Sequence, residues 1–415
     1  KAWSAKWLEE SGINTIATEV EENADGTIAS LTLNQTAPAE HPVLRPHRLA
    51  VGFYDEDPAT GKIVRTDRFE LDVDGKSTVV AAAAGKKRPA FILVNDDDLT
   101  YTKLRFDADS LSFALANLQR FDDALARAVV WLSLWDMTRD GDLAAEKFID
   151  TTLALLATET ESTTFRYALS CMSTTAWHYT APDRRADVVK HVAKELWKLV
   201  IAAPGGSDQQ FQLVTAYLGY GEEGDAEFAE HAQGLFDGSL IVAGLEIDNN
   251  FTWTIINALS SVKLIDQAGI DAQLAKRDTT ENREFALGAH AVRGDAAAKE
   301  WAWNEALNNA DLTNMQLEAV ARGFGATPRP DLAEPYAAKY YDVVDWVWKN
   351  KSFHMAEALL EGLYPYYADP ATLVELGHRW LADHEDADNA LKRIVRGNVE
   401  SSQRTLKVRD FNAAL

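Results

Sequence analysis

Nine histidines, one cysteine and 64 acidic side chains are the raw material for metal or nucleophilic chemistry in this chain of 415 residues, and their spacing assembles little of it. No H-E-x-x-H string occurs, the arrangement that sets two imidazoles on one helical face with a carboxylate base between them. The nearest approaches are His191 with Glu195, Glu227 with His231, His354 with Glu357, and Glu375 with His378. Each pair shares a helical face but offers two ligands where a zinc site takes three or four, so they read as incidental neighbours on solvated helices. No G-x-S-x-G elbow or P-loop appears, and Gly85-Lys86-Lys87 reads as a solvated turn. Asp55, Asp57 and Gly61 share the acidic spacing of a calcium loop, but the glycine is misplaced and the terminal Glu is missing; a hairpin tip is the better reading. Cys171, beside Met172 in an apolar helical context, reads as a buried small hydrophobe and not as a nucleophile.

Two further clusters have alternatives. Asn95-Asp96-Asp97-Asp98 packs three acids against an apolar strand end. It can bind a cation or cap the turn into Leu99-Thr100-Tyr101, and capping is preferred because Asp and Asn readily bond their own backbone. Trp131 with Trp135, Trp301 with Trp303, and Trp346 with Trp348 can line a peptide channel, although aromatics at helical spacing more often face a core. The residues alone therefore supply no catalytic, cofactor-binding or metal-binding set.

The elements that would position such groups change character near Phe106. Before it the period is two, as where Phe69, Leu71 and Val73 interleave with Glu70, Asp72 and Asp74. Strands are expected over 15–20, 28–33, 49–54, 63–73, 77–80, 90–94 and 101–106, separated by turn-forming strings such as Asn23-Ala24-Asp25-Gly26 and Asp74-Gly75. Seven short strands favour a small antiparallel β-sandwich. After Asp109 the period is helical: Met355, Ala358, Leu359, Gly362 and Leu363 make one stripe, and Val192, Leu196, Leu199 and Val200 another. Helix starts are expected where Asp369 precedes Pro370, where Thr313 and Gln316 have capping-box spacing, and at Asp278 with Glu281. More than a dozen helices with tight turns suit stacked pairs in a curved, HEAT- or armadillo-like superhelical domain, with no strict repeat period. At the front, Trp3, Trp7 and Leu8 indicate a short helix that Gly12 is expected to end. The fold class is mostly α: residues 1–13 a helical remnant, 14–107 the β-sandwich, and 108–415 the helical domain.

Composition narrows the function classes. A hydrophobic fraction of 47% with 12 Trp is ample for sizeable cores. Forty-one basic against 64 acidic side chains leave a net charge of −23, which repels phosphate backbones and anionic lipid, so neither nucleic acid nor membrane is expected as a partner. A single cysteine forms no intrachain disulfide, no apolar run reaches spanning length, and Lys1-Ala2-Trp3-Ser4 leads into an amphipathic segment with no leader pattern. A cytoplasmic setting is expected, and the opening without Met reads as an excised piece of a longer protein.

Several strings together resemble a known family. Val94-Asn95-Asp96-Asp97-Asp98-Leu99-Thr100-Tyr101 stands at the junction of the β and helical modules. It is followed in order by Leu134-Trp135-Asp136-Met137 with Gly141, Lys299 with Trp301 and Trp303, Thr313-Asn314-Met315-Gln316 with Gly323-Phe324, and Leu363-Tyr364-Pro365. In this order they resemble the carboxy-terminal half of aminopeptidase N, the zinc-dependent alanyl aminopeptidase family in its actinobacterial form, and Trp7-Leu8 through Gly12 looks like the last helix of that family's catalytic domain. The family's H-E-x-x-H zinc motif with its downstream Glu, and its G-x-M-E-N loop, are absent.

The resemblance implies that this portion encloses the active site and shapes a peptide-binding cavity, with zinc only in the full-length enzyme. It implies as partners the peptides bound by that enzyme and the amino-terminal catalytic domains of the same chain, and an isolated portion that is inactive. It also implies basic side chains facing the cavity to meet a peptide carboxylate, for which the last helix offers Arg393, Arg396 and Arg404. Pairing of these arginines with Asp386, Asp388 or Glu400 is the preferred plainer reading. The alternative function is a free-standing helical-repeat scaffold for protein–protein binding.

Overall fold

A computed structural model describes residues 2–415; Lys1, the first residue of the expected 1–13 segment, lies outside them. The chain divides into two compact units, one ending at Thr175 and including Leu415, the other running from Ala176 to Ala414.

The first unit carries all seven expected strands: β1 (Thr15–Glu22), β2 (Ile28–Thr36), β3 (His47–Glu56), β4 (Ile63–Val73), β5 (Ser77–Val79), β6 (Phe91–Val94) and β7 (Lys103–Arg105). They form two sheets in the orders β5-β2-β1-β7 and β4-β3-β6. All pairings are antiparallel except β1 with β7, whose parallel register returns the chain alongside its first strand. The alternation in β4 is as the sequence has it, with Glu70 and Asp72 exposed between Phe69, Leu71 and Val73.

A helix, Ala2–Leu8, is held on the sandwich by one cation, which satisfies carbonyls in and just after it, and by its own Trp7. Arg45, 3% exposed, donates from Nε to Lys6 O at 2.8 Å and from Nη2 to Glu10 O at 2.7 Å, and the Trp7 indole donates to Pro46 O at 3.2 Å. The helix ends at Leu8, ahead of Gly12. The positive φ of Gly12, +91°, serves another purpose: a Cβ there would lie 2.7 Å from the Cβ of His41. Beneath Trp7, His47 bridges a side chain of β2 and one of the loop before β7, its Nε2 to Gln35 Oε1 and its Nδ1 to Thr100 Oγ1, both at 2.8 Å. Because Gln35 Oε1 can only accept, Nε2 carries the proton and Nδ1 accepts from the Thr100 hydroxyl.

The Asn95-Asp96-Asp97-Asp98 string caps its turn as expected, Asn95 Oδ1 accepting from Thr100 N at 3.0 Å and Asn95 Nδ2 donating to Thr100 O at 2.9 Å, and its aspartates do more besides. Its Asn95, Asp97 and Asp98 take left-handed φ values of 60°, 67° and 53°. The strain is held by an ion-pair knot. Buried Asp96 accepts from Tyr54 OH at 2.6 Å and Arg65 Nη1 at 2.8 Å, while Asp97 accepts from Arg65 and Arg68, each at 2.8 Å. The cation bound by this cluster is a pair of guanidinium groups from β4. The Asp55–Gly61 segment is the tip of the β3–β4 hairpin, with Asp57 accepting from Ala59 N and the Thr60 hydroxyl.

An aromatic seam joins the sandwich to the first helices of the same unit. The Phe91 ring on β6 lies 5.2 Å from Phe106 and Phe121 and 6.4 Å from Phe113. Lys103 and Arg105 on β7 both reach Asp140, at 2.6 Å, in the last turn of the helix Ala124–Asp140. The change from strand to helix at 107/108 therefore falls inside this unit, which also takes in Ala145–Leu156 and Ser162–Thr174.

The second unit is a two-layer stack of helix pairs. Asn249–Ser261, Thr280–Ala291, Asn314–Gly325, Phe353–Gly362 and Asn389–Ala413 pack each on the next in one layer, with Gln267–Lys276, Ala296–Asn308, Ala337–Asn350 and Pro370–Asp383 between them in sequence. Close approach within the layer needs glycine. A Cβ on Gly323 would lie 2.6 Å from Gly288 O, and one on Gly362 would lie 2.8 Å from the Ala321 Cβ. Thr313 forms the expected capping box with Gln316, and Asp369 accepts from Thr372 N ahead of Pro370. At the third expected start the cap is Thr279, whose side chain accepts from Asn282 N, because Asp278 is drawn outward onto Arg283 at 2.6 Å.

Two polar devices tie the layers. Lys299, 3% exposed, donates to Ala291 O (2.7 Å), Phe324 O (3.1 Å), Gly323 O (3.2 Å) and Thr327 Oγ1 (2.5 Å), so one ammonium satisfies C-terminal carbonyls of two helices. Tyr340 OH donates to Leu360 O at 2.8 Å and accepts from Asn398 Nδ2 at 2.9 Å, while Tyr366 OH donates to Asn398 Oδ1 at 2.9 Å. Among the described residues no helix is long and apolar enough to cross a membrane.

Lys299→Met removes the common donor from four buried oxygens and is expected to cost about 2–4 kcal/mol, read as a lower denaturant midpoint at unchanged slope. His47, pushed down to about 4 by burial and by Arg45, gives a signed pH dependence. Its folded pKa lies below its unfolded value, so the unfolded chain binds the extra proton between about pH 6.5 and 4. Its contribution is complete above pH 6.5 and lost on acidification, by about 3 kcal/mol across that window. The stability gap between wild type and His47→Gln should narrow from pH 7 to pH 4; a gap independent of pH would refute it.

Candidate functional site

The histidine pairs singled out by spacing are each engaged elsewhere. His231 stacks on Trp197 at 4.0 Å with its Nδ1 2.9 Å from Tyr217 OH, His354 Nε2 lies 3.3 Å from Glu318, and His378 Nε2 lies 2.8 Å from Gln403 Nε2. Glu195 pairs with Lys198 and Glu375 with Arg379. Cys171 is 3% exposed, and burial pushes its thiol up to about 12, which suits a packed side chain and opposes a nucleophilic thiolate. Of the tryptophan pairs, Trp131, Trp135 and Trp303 are buried in cores, and Trp301 stacks on His290 at 3.7 Å. Trp346 is 43% exposed.

Arg393 and Arg396 lie on the exposed side of the helix Asn389–Ala413 and Arg404 is half-buried. Arg393 Nη2 is 3.5 Å from Glu357 Oε1, a partner on the neighbouring helix of its layer and none of the acids weighed from sequence. Near the start of this helix, a cavity of about 520 Å³ is lined by Asp345, Trp348, Lys349, His384, Asp386 and Asp388. His384 there is held between Trp380 O at 2.7 Å and Asp345 Oδ2 at 2.9 Å.

A second cavity of the same unit, about 490 Å³, is lined by Trp177, Glu222, Glu223, Ser261, Val262 and Arg329. Glu223 accepts from Arg329 at 2.7 Å across 106 residues of chain and from Lys263 at 3.0 Å, which fixes one rim. Beside Trp177 lies a set of donors that spacing did not reveal: His178, Arg185, Tyr367 and Arg409. Arg409, 9% exposed, donates from Nε to His178 O at 2.7 Å, and the His178 ring stacks on Tyr367 at 4.7 Å. Burial, and after it the nearby Arg185 guanidinium, lower Arg409 to about 10, with Asp369 opposing. Arg185 is lowered too, by burial, with Tyr367 and Glu222 opposing. Burial, then Arg409 and Arg185, hold His178 neutral with a pKa of about 3, and burial raises Tyr367 to about 12. The Glu222 carboxyl is raised by burial and by Asp225.

One signal in the sequence marked Arg409. Asn398, Ser402, Thr405 and Arg409 follow the helical period of the buried stripe through Leu391, Ile394 and Val395, whereas Arg393 and Arg396 fall outside it. His178, Arg185 and Tyr367 carried no comparable mark, since only the fold brings them to Arg409.

Zinc has no seat of the usual kind among the described residues: no three His, Cys, Asp or Glu side chains converge, and the four candidate pairs are engaged as above. No reaction step is therefore assigned to a metal here. Comparison with known proteins agrees with the architecture. Residues 91–404 match the family model of the ERAP1-like C-terminal domain. Over 420 aligned residues the chain is 34% identical to Aminopeptidase N of Streptomyces lividans, covering 100% of this chain and 48% of that protein. The chain thus spans about half the length of the curated relative it matches. A sandwich followed by stacked helices, matched by the family model over most of its length and similar throughout to part of an aminopeptidase N, belongs to the ERAP1-like C-terminal domain family.

Proposed function

We propose that this chain is the carboxy-terminal half of a cytoplasmic zinc metallo-aminopeptidase that removes amino-terminal residues from peptides. In this reading it encloses the active site and shapes the peptide cavity, while zinc, general base and amine-binding loop belong to the catalytic domains of the same protein. The observation that supports it most is the match to Aminopeptidase N along the whole of this chain but only 48% of that relative. The internal ties of the second unit suit a wall, because a rigid surface excludes folded proteins by shape with little chemistry of its own. A reducing compartment suits a buried, inert thiol as the single cysteine.

The proposal assigns peptide contact to Arg393, Arg396 and Arg404, whose exposed or half-buried forks are open to a carboxylate. The Arg393–Glu357 pair weighs against Arg393, although an exposed pair of this kind is worth only about 0–1 kcal/mol and yields readily to a ligand.

Purified alone, the chain is expected to fold, to hold no stoichiometric zinc by elemental analysis, and to leave alanyl and leucyl anilides intact. Chelator-sensitive turnover by this chain would overturn the assignment. Joined to a zinc-bearing catalytic half, Arg393→Ala with Arg396→Ala should raise KM for peptides roughly three- to tenfold with kcat little changed. An unchanged KM would remove these arginines from the peptide path and leave the enclosing role intact.

A further inference from the structure

We infer that the cavity beside Trp177 is a binding site for an alkylammonium group, a primary amine on a short aliphatic chain, with Glu222 as the residue that holds its charge. The cavity, about 490 Å³, has the size of a small-molecule pocket, and every residue lining it belongs to the second unit. Trp177, Glu222, Ser261, Val262 and Pro328 are among its walls. Glu222 is half-buried there, and among the described residues no hydrogen bond or ion pair reaches its carboxyl. The adjacent Glu223 is the contrast, accepting from Arg329 at 2.7 Å and from Lys263 at 3.0 Å.

The segment that carries Glu222 is fixed on both sides. Gly221 packs so closely on the Phe228 ring that a Cβ there would overlap it, and the two ion pairs of Glu223 anchor the residue that follows. The charges around Glu222 cancel. At the rim, Arg329 and Lys263 are answered by Glu223 and Asp331, two cations against two acids. Burial, the largest influence, raises the Glu222 carboxyl, as happens to an acid that has lost water and gained no counter-ion; beyond it Asp225 and Asp187 raise it while Lys190 and Arg185 lower it. One uncompensated acid therefore stands beside an indole and two aliphatic side chains. Trp177, 5% exposed and stacked on Tyr220 at 6.2 Å, supplies an aromatic wall that favours a cation. Ser261 Oγ donates its proton to Ala258 O at 2.8 Å, so toward a ligand it can only accept. An ammonium offers three donors and no acceptor, which matches a carboxylate and a hydroxyl oxygen, and Val262 and Pro328 suit a methylene chain. An anion is repelled by Glu222. A metal ion lacks its ligands, because no three His, Cys, Asp or Glu side chains converge among the described residues.

The inference goes beyond the aminopeptidase reading and does not depend on it, because binding is measured on this chain with no catalytic half present. Calorimetric titration at pH 7, with indole fluorescence as a second readout, would use cadaverine, acetyl-lysine amide and acetyl-norleucine amide, the last carrying the aliphatic chain without the amine. Saturable binding of at least one amine is expected, with the norleucine compound at least about tenfold weaker. Glu222→Gln keeps the shape and removes the charge, and should weaken amine binding at least about tenfold at an unchanged thermal midpoint, since the Glu222 side chain bonds nothing in the protein. Should that variant fold poorly, Glu222→Asp withdraws the charge by one methylene and should weaken binding several-fold. Binding of acetyl-lysine amide without cadaverine identifies a peptide side chain as the source of the ammonium, and binding of cadaverine alone identifies a free amine; both support the site. No saturable binding of either amine up to about 10 mM, equal affinity in Glu222→Gln and wild type, or a norleucine compound that binds as tightly as its lysine counterpart would overturn it.

Discussion

A stack of helix pairs has two raw ends, and in the second unit the last helix is fastened to the first segment by two hydrogen bonds. Arg409 Nε and Asn412 Nδ2 donate to the carbonyls of His178 and Tyr179, 231 and 233 residues away in sequence. These carbonyls belong to a π-helical turn, Thr175–Tyr179, whose wider winding displaces backbone groups from the regular ladder. Donors from outside the turn hold such a turn in place. With the ends joined in this way, the tyrosine–asparagine network and the Lys299 ammonium act on a stack that is already closed. The same tie places the Arg409 guanidinium where, among the described residues, no carboxylate forms an ion pair with it.

Elsewhere the chain meets one recurring problem, carbonyls exposed at irregular turns, with one recurring solution, a long cationic side chain. Arg45 serves Lys6, Glu10 and Ser11; Arg120 serves Gly61; Arg127 serves Phe121; Lys299 serves Ala291, Gly323 and Phe324. A cation opposite the negative end of a helix or turn gains from the backbone dipoles as well as from the hydrogen bonds. It also spans the distance between layers, which a serine or asparagine cap does not. In an acidic chain with 41 basic residues, several are thus committed to backbone rather than to surface ion pairs.

The strands were legible because alternation of period two and turn residues are local signals: all seven expected segments are strands, with boundaries shifted by a few residues. Helix starts at Thr313 and Asp369 were legible for the same reason, as was the buried state of Cys171. What escaped depends on distant partners. Gly12 marks the passage of His41 and not a helix end; Asp278 gives up the cap because Arg283 draws it away; the Asn95–Asp98 string is folded around arginines some thirty residues earlier. Arg409 lay in register with the buried stripe of its own helix. Its meaning depended on His178, which no local window contains.

The balance of charge separates two roles that the fold could otherwise confuse. A net charge of −23 gives a long-range field that slows the approach of anions and favours cations, yet in physiological salt that field decays over about 8 Å. Inside the second unit the potential near Arg185 and Arg409 is set locally, by two guanidinium groups and a helix start that Glu222 and Asp369 oppose without forming an ion pair with either arginine. A long-range field of one sign and a local potential of the other therefore coexist in one chain, kept apart by screening.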